Sequence, residues 1–342
     1  MTSSTSGTSH DPAHLDHDRP RRLRWVVAGL GLTSVVPLLA WVCGLGPFHV
    51  WFLAVAAPGQ VALAGIGVFV RSGRRRPEVR TALVLGVVAG LVGTIGYDLF
   101  RVPFVFGGGY RLLSPIESYG VLALDAETSS GWTAVAGWAY HFANGIGFGI
   151  AYMAVAARRH WGWGVLWAMV LESGSVFTPF ASSYNLWGHP DAIVIAYAAH
   201  VPYGLALGLI GMRADRWLGH LRELGRHTIP AVLTVGAALL LVWIGPFTEP
   251  SRVEEGRAVA PGPSGVILDE GLSPHWLRTT ADGCVTLRNG DDRGYTIDAA
   301  VGDPTIVAGA TIEVCFEGSG VKRLRTSGEP FDGGFVILDE ER

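Results

Sequence analysis

Seven long apolar stretches constrain this chain more than any other feature. A helix needs about 20 consecutive apolar residues to cross the hydrocarbon core of a bilayer. Only 16% of the residues are charged, and 49% are hydrophobic. A soluble domain usually carries about 25% charge. The sequence therefore predicts an all-α polytopic membrane bundle of seven transmembrane helices. The predicted spans are residues 25–43, 49–70, 79–99, 132–157, 161–180, 192–212 and 229–244.

The arginines predict how this bundle is oriented. Basic clusters precede span one, join spans two and three, follow span four and follow span six, whereas the other loops carry only Arg101 and Arg111. All the clusters thus fall on one side, which the positive-inside rule identifies as the cytoplasm. We expect a multi-pass plasma-membrane protein with a cytosolic N-terminus and an extracytoplasmic C-terminus.

The composition also limits which classes of binding partner are expected. The lipid bilayer is the first partner implied, and a formal net charge of −3 argues against nucleic acid. Three cysteines are too few for a disulfide scaffold. Residues 1–24 are polar or basic, and we expect a disordered cytosolic tail there.

The composition changes after the last span. Residues 246–264 contain several prolines and are predicted to be a linker. Residues 265–342 contain short alternating runs separated by Gly, Asn and Asp, which is typical of a small all-β domain. The runs are 265–268, 284–288, 295–298, 311–316 and 334–338.

Two segments of this β region resemble the cupredoxins. Residues 282–289 (DGCVTLRN) resemble the cupredoxin strand with the pattern G-D-x-V-x-x-x-N, and residues 307–316, followed by Gly320, resemble the later hairpin. The resemblance implies a cupredoxin-like sandwich. However, no His follows Asn289, and residues 325–331 replace the Cys-His-Met loop, although a blue-copper site needs His, Cys and His together. We therefore expect no type 1 copper.

The three cysteines have different surroundings. Cys284 and Cys315 lie in two predicted strands on the oxidising side, where they form either a disulfide or two unpaired core thiols. Cys43 lies in a span and is interpreted as a packing residue.

Three ionisable residues lie inside predicted spans, where they are costly and therefore indicate function. His141, Glu172 and His200 lie eight or nine residues from the outer ends of spans four, five and six. At a rise of about 1.5 Å per residue, all three reach one layer roughly 12–14 Å below the outer surface.

His141 and His200 share a local pattern. Each begins an H-x3-G-x3-G motif, which continues through Gly145 and Gly149 or through Gly204 and Gly208. A spacing of four places His and both glycines on one helix face. Glycines there allow a neighbouring helix to approach closely, so the histidines are predicted to face the bundle.

Two histidines and a carboxylate form the ligand set of non-haem iron oxygenases and several zinc sites. His141, Glu172 and His200 are therefore the predicted ligands of a metal ion, whether iron, copper or zinc. Three alternatives stay open: a His–Glu–His hydrogen-bond cluster that holds helices together, a proton or substrate path, and a haem between the two histidines.

A second polar group is expected at the outer mouth. Its members are Tyr97 and Asp98 at the end of span three, Arg101, Glu117, Asp125, Glu127, His189 and Asp191. The loop 100–131 is either a lid or an ordinary solvated loop, and Asp98–Arg101 is either functional or a surface pair of little energetic value. Asp98, Asn144 and Glu172 are the candidate catalytic residues.

Three functions fit these patterns. The first is a membrane-bound metal-dependent oxidoreductase whose site opens to the outer face, where a small-molecule substrate or partner protein binds. The second is a transporter or channel for a metal ion or small solute, although no acidic or His residue lies in the inner half of the spans. The third is a non-catalytic assembly or sensory protein.

Overall fold

The computed structural model describes residues 14–72, 77–108, 110–223, 262–268, 271–298, 301–326 and 333–340. Within them a helical region precedes a β domain, as the sequence predicts. Short 3-10 or π-helical turns lie at Thr33–Val35, Phe52–Ala56 and Leu186–Gly188. The helices are α1 His14–Leu32, α2 Val36–Val42, α3 Phe48–Trp51, α4 Ala57–Ser72, α5 Pro77–Gly108, α6 Ser114–Ala123, α7 Gly131–Ala156, α8 Gly162–Val176, α9 Pro179–Ser183, α10 Pro190–Met212 and α11 Ala214–Glu223.

Among the described residues, four helical segments are long and apolar enough to cross a membrane: Arg22–Val42, Phe48–Val68, Glu78–Gly108 and Pro190–Met212. Predicted spans four and five are also helices, α7 and α8, and α8 has only 15 residues. The seventh predicted span, 229–244, lies outside the described residues, as do residues 1–13 of the predicted tail and most of the predicted linker.

Helix α7 is the centre of the bundle, because it packs against α1, α5 and α6, while α10 packs against α5 and α8. Glycines make these contacts close. A Cβ on Gly149 would lie 2.5 Å from the Gly86 carbonyl oxygen, and one on Gly208 would lie 2.0 Å from that of Trp161. The glycines of both H-x3-G-x3-G motifs thus face neighbouring helices, as predicted.

Two helices extend beyond the predicted spans. Helix α1 begins at His14, which is 11 residues before the predicted start at Trp25, because the intervening residues include good helix formers such as Leu and Arg. Helix α5 continues to Gly108, beyond the predicted end of span three at Leu99, and its partly buried Val105 packs against a cluster that includes Ile116 and Trp138.

The loop expected between residues 100 and 131 is largely helical. Helix α6 packs on α7 at Gly120 and Gly137, and most of its residues are buried. Helix α7 then begins at a capping box, in which the Ser130 amide donates to Thr133 Oγ1 (2.7 Å) and the Thr133 amide donates to Ser130 Oγ (3.3 Å).

The β domain has two sheets, ordered β6-β3-β1-β2-β9-β7 and β5-β4-β8, whose side chains share one apolar core. Pairs β1–β3 and β2–β9 are parallel, and the others are antiparallel. The strands are β1 Ser264–Leu268, β2 Gly271–Thr280, β3 Cys284–Asn289, β4 Tyr295–Asp298, β5 Thr305–Ile306, β6 Thr311–Cys315, β7 Gly320–Arg323, β8 Arg325–Thr326 and β9 Gly333–Asp339.

Ion pairs and strand contacts mark the two ends of the bundle. At one end, called the arginine end, Arg24 Nη1 lies 3.3 Å from Glu78 Oε2, and Arg158 Nη2 lies 2.7 Å from Asp215 Oδ1. At the opposite end, called the β end, Thr128 forms an antiparallel bridge with Leu277 of β2. The β domain is therefore docked on the end of the bundle away from the arginines.

Candidate functional site

A cavity of about 1220 Å³ lies between the helices and the β domain. Its walls include apolar residues of α2, α6 and α8, among them Val36, Ile116 and Leu171. Trp276 of β2 and Phe335 of β9, whose rings are stacked 4.5 Å apart, line the cavity from the β domain. The β domain thus caps a largely apolar chamber at the β end of the bundle.

One buried charge cluster joins α5 to α7. Asp98 is 1% exposed and accepts a short hydrogen bond from Arg101 Nη2. Both Asp98 carboxylate oxygens lie 3.1 Å from His141 Nε2, and Arg101 Nη1 donates to the Leu112 carbonyl oxygen at 2.7 Å. Asp98 and Arg101 are therefore not the exposed surface pair that the sequence left open. They are buried because α5 continues past them.

A second pair joins α8 to α10. His200 Nδ1 lies 3.3 Å from Glu172 Oε2 and donates to the Ala196 carbonyl oxygen at 2.9 Å. Glu172 is 4% exposed. A carboxylate that is buried this deeply must be compensated, and His200 is its nearest ionisable partner here.

Tyr97 connects the two pairs. Its ring centroid lies 6.1 Å from that of His141 and 4.7 Å from that of His200. The Arg101 guanidinium stands over the same ring, 4.1 Å from its centroid, in a cation–π contact. Four helices thus contribute to one polar layer beside the cavity.

The predicted layer of three residues is brought to one cavity, since His141, Glu172 and His200 all line it, together with Asn144. Their pairing differs from the predicted ligand set, because His141 bonds to Asp98. Among the described residues, no three or more His, Cys, Asp or Glu side chains form a group that could hold a metal ion. The metal site stays a prediction.

Two carboxylates of the predicted mouth group, Asp125 and Glu117, contact the β domain. Arg278 of β2 is fully buried and donates to Asp125 Oδ1 at 2.6 Å. Its Nε donates to Asp339 Oδ2 at 3.1 Å, and its amide donates to the Glu127 carbonyl oxygen at 2.8 Å. His275 Nδ1 lies 3.4 Å from Glu117 Oε2. These contacts attach the domain to the bundle.

Tyr184, in the turn after α9, also lines the cavity. Burial raises the pKa of this phenol above its usual range, so the group stays protonated and shares a 2.7 Å hydrogen bond with Ser118 Oγ. Trp276, Arg278 and Phe335 are site residues that the sequence analysis missed. Residues 275–279 (HWLRT) contain no simple alternation of apolar and polar residues, so no strand pattern marks Trp276 and Arg278.

The β domain contains no free thiol among its described residues. Cys284 and Cys315 are register partners in β3 and β6 and form a disulfide, which settles the alternative left open by the sequence. His275 is the only histidine after residue 264. The domain therefore lacks the ligands of a blue-copper site.

The comparisons with known proteins are sparse. No family model matches the chain, and no curated protein matches it. A solved structure of a reduced amicyanin mutant matches with 16% identity, a TM-score of 0.20, and coverage of 26% of this chain and 87% of that one. The fold and site define a helical protein with candidate membrane spans and a C-terminal β domain.

Proposed function

We propose that this is an integral membrane protein whose capped cavity binds a small molecule beside two proton-exchanging pairs, Asp98–His141 and Glu172–His200. The observation that carries the proposal is that these two pairs, which come from four helices, meet at one cavity. Ionisable groups inside a membrane bundle are costly and are retained mainly where they serve a function.

The geometry of the pairs suits acid–base chemistry. A carboxylate that accepts a hydrogen bond from one ring nitrogen of His fixes the tautomer and increases the basicity of the ring. His141 Nε2 faces Asp98, whereas His200 Nδ1 donates to the Ala196 carbonyl oxygen and lies 3.3 Å from Glu172 Oε2, so each ring keeps one further nitrogen. Those nitrogens are the atoms that could exchange a proton with a bound molecule.

The proposed orientation is that of a multi-pass plasma-membrane protein with the cavity and β domain outside. Arg24, Arg158 and Arg213 lie near the end of the bundle away from the β domain, which suits the positive-inside rule. A disulfide in the β domain suits an oxidising compartment.

The close packing of the described helices supports the transporter alternative less than it supports the proposed function. In the inner half of the bundle, Leu85, Tyr152 and Leu207 belong to one buried apolar cluster. Above it, Tyr203 Oη donates to the Gly145 carbonyl oxygen at 2.7 Å. The described helices are closely packed along the route that a solute would need toward the arginine end.

Histidine labelling tests the proposal. Diethyl pyrocarbonate should modify His141 and His200 in the purified protein, because both line the cavity. His160, which is exposed, serves as the internal positive control. Modification sites would be mapped by mass spectrometry of peptides. If His160 reacts while His141 and His200 do not, the pairs are sealed structural contacts and the proposed function fails.

A metal-dependent oxidoreductase is the second candidate, and the hydrogen bonds of the histidines favour it. A metal-ligating His usually donates its other nitrogen to a carboxylate or a carbonyl. His200 Nδ1 does so to Ala196, and His141 Nε2 faces Asp98. With Glu172, the free nitrogens would hold iron, copper or zinc, which would supply redox or Lewis-acid chemistry.

Metal analysis tests this second candidate. Protein purified without chelators should contain a stoichiometric metal, and His200→Ala should lose it while His160→Ala keeps it. The oxidoreductase candidate would be rejected if the purified wild-type protein contained no metal and the Glu172→Gln variant kept its function. That result would not contradict the first proposal, in which the two pairs exchange protons without a metal.

A further inference from the structure

His141 and His200 keep part of their rings open to the cavity. Both residues line it, and the side chain of each is 15% exposed. Their second ring nitrogens, His141 Nδ1 and His200 Nε2, are not among the unpaired polar atoms that the described residues enclose. A molecule in the cavity can therefore reach both nitrogens.

The partners of the first ring nitrogens determine the role of the second ones. His200 Nδ1 faces the Ala196 carbonyl oxygen at 2.9 Å, and His141 Nε2 faces both carboxylate oxygens of Asp98 at 3.1 Å. Carbonyl and carboxylate oxygens only accept, so these two nitrogens carry the hydrogen. The other nitrogen of a neutral imidazole is then an acceptor. The cavity thus presents two acceptors, and a ligand that matches them donates at two points.

The two acceptors occur in two similar helical hairpins. In each hairpin, one glycine lies eight residues before the carboxylate in the first helix, and another lies four residues after the His in the second helix. A Cβ on the first glycine would lie within 2.5 Å of the carbonyl oxygen of the second. These residues are Gly90, Asp98, His141 and Gly145 in α5 and α7, and Gly164, Glu172, His200 and Gly204 in α8 and α10. The hairpins therefore bring two like groups to the same cavity.

The two histidines are close enough to serve one molecule. Their ring centroids lie 6.1 and 4.7 Å from that of Tyr97, so they are no farther from each other than the sum of these distances. A six-membered ring with a hydroxyl group at each end, together with two hydrogen bonds of roughly 2.8 Å, spans a gap of this size. A single aromatic diol can therefore donate to both histidines.

The rest of the wall suits a planar ring with an apolar tail. The stacked rings of Trp276 and Phe335 line the cavity, and aromatic rings pack favourably on one another. Leu39 of α2 and Val170 of α8 also line it, yet they are 38% and 60% exposed, so in a bilayer they contact lipid. The volume of about 1220 Å³ exceeds the roughly 300–1,000 Å³ of ordinary small-molecule pockets, which leaves room for more than a ring.

We propose that the molecule bound in this cavity is a membrane-soluble hydroquinone, an aromatic ring with two opposite hydroxyl groups and an apolar tail. This inference rests on the proposed function, since it names the ligand of the same cavity. One hydroxyl group donates to His141 Nδ1 and the other to His200 Nε2, and the tail lies along Leu39 and Val170. The oxidised quinone has carbonyl oxygens, which only accept, so the cavity favours the reduced form.

Calorimetric titration of the full-length protein in a neutral detergent, without oxygen, tests the proposal. The probes are decylhydroquinone, the matching decylbenzoquinone and the matching dimethyl ether, which all share a six-membered ring and a tail. Only the first has hydroxyl groups. We expect it to bind about tenfold or more tightly than the other two, because they cannot donate the two hydrogen bonds.

Two variants each remove one acceptor and keep the donor that faces the protein. His200→Asn keeps an amide near the place of Nδ1 and lacks Nε2, whereas His141→Gln keeps an amide near the place of Nε2 and lacks Nδ1. Each should weaken hydroquinone binding about three- to tenfold, the effect of one hydrogen bond. His160→Asn is the matched control, because His160 is exposed and lies outside the cavity.

Several results would overturn the inference. Equal binding of the dimethyl ether would mean that the cavity selects only the ring and the tail. Equal binding of the quinone would mean that the two ring nitrogens do not act as acceptors. No binding of the hydroquinone, or equal effects of His200→Asn and His160→Asn, would also reject it. The proposed function would survive each of these results if diethyl pyrocarbonate still modified His141 and His200, so the two failures are distinguishable.

Discussion

Inside the bundle, Asp98 is at once the counter-ion of Arg101 and the hydrogen-bond partner of His141. It accepts from Arg101 and contacts His141, and it is 1% exposed. A charge in a low-dielectric interior is tolerated only when it is paired and hydrogen-bonded. Removing this carboxylate charge would therefore leave the Arg101 guanidinium without its counter-ion.

Asp98→Asn should consequently destabilise the protein strongly. Breaking a buried ion pair from one side costs about 3–5 kcal/mol. Unfolding of detergent-solubilised protein, followed by circular dichroism against temperature and denaturant, would measure the change. Asp215→Asn is the control, since it breaks the exposed Arg158–Asp215 pair and should change little. Equal effects of the two substitutions would contradict the importance of burial.

The sequence correctly placed the three ionisable side chains at one cavity, but it did not predict which side chains pair with each other. The fixed rise of a helix places His141, Glu172 and His200 at one depth, and all three line the cavity. The partner of each depends on how a helix is rotated about its axis, which the sequence does not specify. Asp98 was expected near the interface because span three was predicted to end at Leu99. The two residues are paired three positions apart on one helix, so the helix continues.

At the scale of elements, close glycine contacts set the spacing of α5 and α7. A Cβ on Gly149 would meet Gly86 O at 2.5 Å and Gly90 Cα at 2.8 Å, both of them backbone atoms. Backbone cannot move aside as a flexible side chain can. The two helices would have to separate, and the polar pair that joins them, Asp98–His141, would separate with them.

Gly149→Ala should therefore lower stability by about 1–3 kcal/mol, which is typical of overpacking. Gly65→Ala is the control, because a Cβ there meets no atom within 4 Å. Alanine favours a helix over glycine by roughly 0.5–1 kcal/mol, so this control should be neutral or slightly stabilising. Thermal unfolding of both variants would measure the difference, and similar losses would contradict the close contact.

The strands show where sequence patterns suffice. The predicted runs at 284–288 and 295–298 match β3 and β4, because one face of each strand is buried and the other is exposed. Strand β2 was missed. Its C-terminal half is buried on both faces, against the core and against the bundle, so it lacks a simple alternation.

Addition of copper to the full-length protein should not produce the intense visible absorption of a thiolate–copper bond. Cys284 and Cys315 are joined in a disulfide, and His275 is the only histidine of the β domain. Absorption spectra during copper titration of the oxidised protein would check this. Because Cys43 is a free and exposed cysteine, the titration uses the Cys43→Ser variant, in which appearance of the band would mean that the disulfide has opened and that Cys284 or Cys315 ligates copper. The Cys284→Ser variant would then remove the band.

At the scale of the whole molecule, the two ends of the bundle differ in the contacts that they make. Arg24 and Arg158 form cross-helix contacts at one end, and Trp276 and Arg278 dock the β domain on the other. Helix α11 follows α10 at the arginine end, whereas β1 belongs to the β domain. Residue 223 therefore lies at the arginine end, and residue 264 lies at the β end.

Reporter fusions should therefore give opposite results at these two points. Alkaline phosphatase, which needs an oxidising compartment, should be inactive when fused after Glu223 and active when fused after Arg342. A reporter that is fluorescent only in the cytoplasm should show the reverse pattern, which controls for expression. Because Glu223 lies at the arginine end and Ser264 lies at the β end, this contrast also tests whether the predicted span 229–244 crosses the membrane. If both fusions report the same compartment, that span does not cross. If the fusion after Arg342 reports the cytoplasm, the cavity and its histidines face the opposite side from the one proposed.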